Sequence, residues 1–167
     1  MFSSIQGPPY SELGDEERGL ADIQRGVDLW RERSGSFLLT RNLAKLAEYQ
    51  LRAHQFEEAR ANLDEAEHLA ETIDEKLHLA EISRLRGRLW QAEGHYDQAR
   101  RCFERAIARS RKQAARLFEL NAARDLAKLA AEAGDAAEAL EQLRSVVDWF
   151  SAALDVPILA ECRALLR

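Results

Sequence analysis

The sequence predicts an all-α fold built of stacked helix–turn–helix units. Three observations carry this. Ala, Leu, Glu and Arg dominate a chain of 167 residues with only three prolines, which is a helix-forming composition. Apolar residues recur at steps of three and four, the period of one helix face. The pattern then repeats every 40 residues, as in stacked arrays of helical units. The central copy, residues 80–112, shows it best. Ile82, Leu85, Leu89 and Trp90 mark a first helix, in which Gly87 leaves room for a close neighbour. Glu93-Gly94-His95 breaks the run, with Gly94 suited to a left-handed helix end. Tyr96, Ala99, Phe103 and Ala106 mark the second helix, small residues alternating with large ones.

Forty residues upstream, Ala47, His54, Phe56, Ala59, Leu63 and Ala66 fall in register with Gly87, Gly94, Tyr96, Ala99, Phe103 and Ala106. Downstream the matches are Ala127, Gly134, Ala136, Ala139, Leu143 and Val146, and Gly14, Gly19, Ile23 and Gly26 lie one further period upstream.

Taken in order, residues 1–11 contain Ser, Gly and two prolines without periodicity and read as a flexible leader. Residues 12–167 read as one helical repeat domain, with units near 12–35, 36–74, 75–114 and 115–151 and a capping helix at 156–167. Asp15 is a candidate cap for a helix whose stripe is Leu20, Ile23, Val27 and Trp30. Helices follow over about 37–53, 56–71, 115–133 and 136–150, with Leu39, Leu43, Leu46 and Ala47 buried in the first. Leu117, Leu120, Leu126, Ala127 and Ala130 stripe the helix from 115, and Gly134-Asp135 turns and caps the next. Pro157 sits in the first turn of the last helix, with Leu159, Cys162 and Leu166 inward. Trp30, Trp90, Trp149, Tyr96 and Phe103 are expected in the core.

The Gly87, Trp90, Gly94, Tyr96, Ala99, Phe103, Ala106 spacing resembles the tetratricopeptide repeat (TPR). That resemblance implies a right-handed α-solenoid of TPR-like repeats. The standard period is about 34, so at 40 each unit would carry about two extra helical turns. Trp149-Phe150, Leu154-Asp155, Pro157, Leu159 and Ala164-Leu165-Leu166, with SRLRGRLWQAEGHYDQARRCFERAIARSR in the centre, are also similar to the C-terminal tail of large bacterial signalling proteins. Those proteins join a class III cyclase or another effector to an ATPase module and a TPR-like tail. The sequence has no GxxxxGK phosphate loop, so this second resemblance implies a scaffold or regulatory tail and brings no catalytic residue.

Other features narrow the function. A net charge of −5 argues against a general nucleic-acid binder. No apolar run approaches the length of about 18 residues that suggests a membrane span. No secretory signal is visible, so a cytoplasmic location is expected. Cys102 and Cys162 form no CxxC motif, and His54, His68, His78 and His95 do not pair at metal-ligand spacing. Neither a metal, a cofactor nor an enzymatic activity is expected.

Charge is uneven. His54 to Glu75 holds eight acidic residues and one Arg, whereas Arg84 to Lys112 holds nine basic and three acidic residues. Arg84 and Arg88 share a helix face, as do Arg124 and Lys128 one period later. By resemblance to TPR folds these four would line the concave groove as a solvent-exposed basic strip, binding an acidic segment of a protein or peptide. Charge reversal at Arg84 and Arg124 would then leave the melting temperature nearly unchanged. The alternative is an internal brace between acidic and basic helices. The leading expectation is a non-catalytic protein-interaction scaffold. The other is a regulatory or sensor tail of a bacterial cyclase or ATPase signalling system, with a small ligand in the groove as a variant. The first helix, short of a partner on one side, is expected to self-associate weakly or to be covered by residues 1–11.

Overall fold

Helix after helix ends on the same backbone device. At the end of the helix before Gly94, the His95 N–H donates to Trp90 O at 2.8 Å and the Gly94 N–H to Gln91 O at 3.0 Å. Asp135 and Gly134 repeat this on Ala130 and Ala131, and Gln55 and His54 on Gln50 and Leu51. Each closure needs one residue in the left-handed region. Gly94 (φ 79°) and Gly134 (φ 76°) occupy it without a steric penalty, while His54 (φ 58°) adopts it despite its β-carbon. Ala114 (φ 54°) closes another helix likewise, its neighbour Ala115 donating to Ser110 O at 2.9 Å.

The computed structural model describes residues 13–32, 36–150, 154 and 156–167. The predicted leader, 1–11, lies outside the described residues. The all-α expectation holds: among the described residues there are eight helices and no strand. They are α1 (Leu13–Glu32), α2 (Ser36–Arg52), α3 (Phe56–Thr72), α4 (Leu79–Ala92), α5 (Tyr96–Lys112), α6 (Arg116–Glu132), α7 (Ala137–Val147) and α8 (Pro157–Leu165). Helix α1 already begins at Leu13, so Asp15 lies inside it and not at its cap. The residue before α7 is Ala136, with no side-chain cap bond, so Asp135 does not cap that helix. Pro157 does occupy the first turn of α8, after an extended Val156.

The chain divides into two compact units between Ile73 and Asp74. In the first, α2 packs on both α1 and α3. Val27, Leu43, Leu46, Ala47, Leu63 and Ala66 are fully buried there. A polar chain crosses this unit. Asn62 donates to Gln50 Oε1 at 2.8 Å and accepts from Arg31 at 3.1 Å, while Arg31 also binds Glu65.

In the second unit α4 packs on α5, α5 on α6, α6 on α7 and α7 on α8, and α4 also lies against α6. Its core gathers Ala99, Phe103, Ala106, Leu120, Ala123, Leu143, Val146 and Leu159. Helices α4 and α5 meet most tightly at Gly87. A β-carbon there would lie 2.5 Å from Cε1 and 2.7 Å from Cδ1 of Phe103, a ring with no exposed surface. Burying such a ring stabilises by about 1.5–3 kcal/mol, and the missing β-carbon is the condition for it. Gly87→Leu is therefore expected to cost about 1–3 kcal/mol through overpacking. Chemical denaturation checks this; a variant as stable as the parent would show that α4 and α5 are not in this register.

Candidate functional site

Of the four cations expected as a strip, Arg84 and Arg88 lie on α4 and Arg124 and Lys128 on α6, and a different fate meets each. Arg84 is buried, its side chain only 4% exposed, in place of the expected solvent exposure. The physical reason is a pair of carboxylates. Arg84 Nε and Nη2 donate to Glu81, one turn back on α4, at 2.9 and 2.5 Å. Its Nη1 donates to Asp125 Oδ2 on α6 at 2.7 Å, inside the protein. Arg124 is half-buried; its Nε and Nη2 reach the other oxygen of the same Asp125 at 2.9 and 2.6 Å. Its Nη1 crosses to Glu161 on α8 at 3.1 Å. Lys128, one turn along α6, donates to the same carboxylate. Arg88 is half-buried on α4, one turn beyond Arg84.

Glu81, Arg84, Asp125, Arg124, Glu161 and Lys128 thus form one network of alternating sign across α4, α6 and α8. Burial works against the Arg124 charge, yet Asp125 and Glu161 outweigh it and hold the guanidinium above its ordinary range. For Glu161 burial favours the neutral acid, but the Lys128 and Arg124 cations reverse this and hold the carboxyl below its usual range. Cys162, next in sequence, is fully buried, and that burial pushes its thiol up to about 11.

Sequence reasoning missed Asp125 and Glu119. Glu119 is 1% exposed and accepts from Arg111 Nε and Arg116 Nη1, both at 2.7 Å. The signal was present: one period before Asp125 stands Leu85, a core residue. A carboxylate in a core register requires a cation beside it.

The aromatic expectation holds in part. Phe103 is in the core and Trp30 and Trp90 are half-buried, but Tyr96 is 58% and Trp149 60% exposed. Both sit at helix ends, where none of the described helices covers the stripe. Leu117, in the first turn of α6, is exposed for the same reason.

Among the described residues no three His, Cys, Asp or Glu side chains converge as for a metal ion. None of the described helices is long and apolar enough to cross a membrane. No known family model matches the chain, and no curated protein does.

Two predictions follow the network's chemistry. Removing one partner of a buried ion pair costs about 3–5 kcal/mol, and Arg84→Glu sets a third carboxylate beside Glu81 and Asp125, so it should sharply lower the melting temperature; an unchanged melt would mean Arg84 is in water. The Cys162 thiol is raised above its unfolded value of about 8.5. Its contribution is fully present below that pH and is lost as pH rises through about 11. Between these limits the parent should lose stability faster than Cys162→Ala, and parallel alkaline melting curves would contradict the burial of this thiol.

Proposed function

We propose that the chain is a non-catalytic interaction scaffold, an α-solenoid of TPR-like helix–turn–helix repeats with a period of 40 residues. One backbone observation carries the reading. Left-handed residues recur at His54, Gly94 and Gly134, and again at Asp74 and Ala114, each series in steps of 40. Helices α3 and α5, each 17 residues long, begin at the same interval. The packing of α4 against α6 supports stacking in the second unit, because first helices of successive repeats must meet side by side.

In this reading the face of α4 and α6 bearing Arg84, Arg88, Arg124 and Lys128 receives an acidic segment of a peptide or partner domain. Arg84 and Arg124 brace the face through Asp125, while Arg88 and Lys128 stand further along it. Glu161 occupies Arg124 and Lys128 in the manner such a carboxylate would. The first helix would support weak self-association.

A polyglutamate peptide titrated onto the chain tests this. Binding should weaken from about 0.05 to about 0.5 M salt, because screening shortens the reach of exposed charges. Arg88→Glu with Lys128→Glu should weaken it further at a temperature where the variant's melting curve shows it folded, and Glu57→Lys on α3 should have no such effect. Equal loss in the Glu57 control would remove the face from the reading.

A further inference from the structure

Helices α3 and α5 are both 17 residues long and carry opposite charge. Helix α3 holds six Asp or Glu and one Arg, whereas α5 holds six Lys or Arg and two acids, Asp97 and Glu104. On α3 the exposed residues Glu57, Ala61, Asp64, His68 and Glu71 follow one another at steps of four and three, which is one helix face. On α5 an exposed row read backwards is Lys112, Ala108, Arg105, Arg101 and Gln98, at the same steps. Laid antiparallel, the rows set Glu57 against Lys112 and Asp64 against Arg105. Ala61 meets Ala108 between these pairs, and small side chains at a contact let two helices approach closely. Glu71 comes within one turn of Arg101.

The end of α3 gives a second reason. Its last turn carries Glu71 and no basic residue, although the helix dipole favours cations there. Helix α5 ends on Arg109, Arg111 and Lys112. A cation from outside would supply Glu71 with what α3 itself lacks. Glu57, Glu71, Arg101 and Lys112 form no ion pair among the described residues, so meeting a partner breaks no contact at these four positions.

We propose that two copies of the chain associate through these rows, α3 of one lying antiparallel against α5 of the other. The occupant is a second copy because each chain carries both rows, matched in length, step and sign. A net charge of −5 opposes association in general, so the attraction comes from the local match. The inference uses neither the α4 and α6 face nor α1, and it stands apart from the scaffold reading.

Sedimentation equilibrium of the full chain in about 0.05 M salt is the test. The mean mass should rise above that of one chain with concentration and fall back at about 0.5 M salt, where exposed charges are screened. Arg101→Glu with Lys112→Glu should weaken association about tenfold or more, and so should Glu57→Lys with Glu71→Lys, because like charges then face one another. An equimolar mixture of the two variants, at a temperature where their melting curves show both folded, should recover it, since each row again meets its opposite. A monomer at every concentration would overturn the proposal. So would association that salt strengthens, that either double variant leaves unchanged, or that the mixture does not recover. A parent that stays monomeric yet binds oligolysine through Glu57 and Glu71 would assign the α3 row to a foreign basic segment and overturn the pairing of copies.

Discussion

A buried guanidinium must be met by carboxylates, and Arg84 imposes that demand on the second unit. Removing its charge from water costs several kcal/mol, recovered only when its donors find well-placed acceptors. Glu81 answers from the same helix and Asp125 from α6. Asp125 in turn draws in Arg124, and Arg124 reaches Glu161. Helices α4, α6 and α8 are therefore aligned by charge, in contrast to α4 and α5, which are aligned by shape where Phe103 fills the space above Gly87. The two constraints act one turn apart on α4, so its position is set from both sides.

Arg84 is taken up inside the protein and braces α4 against α6, while Lys128 reaches Glu161 on α8. At the end where α6 begins, Glu119 performs a similar service for Arg111 and Arg116. There the guanidiniums remain partly in water beside Trp149 and Leu117. In both places a buried carboxylate sets the position of an arginine. What differs is whether the cation is then covered.

Most of the helix pattern could be read from the sequence. Gly94 and Gly134 announce left-handed ends because no other residue adopts them as cheaply, and Gly87 announces a close approach because a small residue interrupts a large stripe. Helix ends were less visible. Tyr96, Leu117 and Trp149 keep the apolar period, but a period says which side a residue faces, not whether a neighbour extends far enough to cover it. Arg84 and Arg88 lie on α4 and Arg124 and Lys128 on α6, but the burial of Arg84 was hidden. Arg84 meets a carboxylate 41 residues away and Arg124 one 37 residues away, and neither pairing follows from helical spacing. Asp125 in the register of Leu85 was the one local clue.

The central claim is that Arg84 and Asp125 depend on one another inside the protein. A double-mutant cycle with Arg84→Met, Asp125→Leu and the double variant, followed by urea unfolding, measures that directly. The account predicts that each single change is costly, that the double change is less costly than their sum, and that the coupling is about 1–3 kcal/mol. Additive effects with no coupling would contradict it.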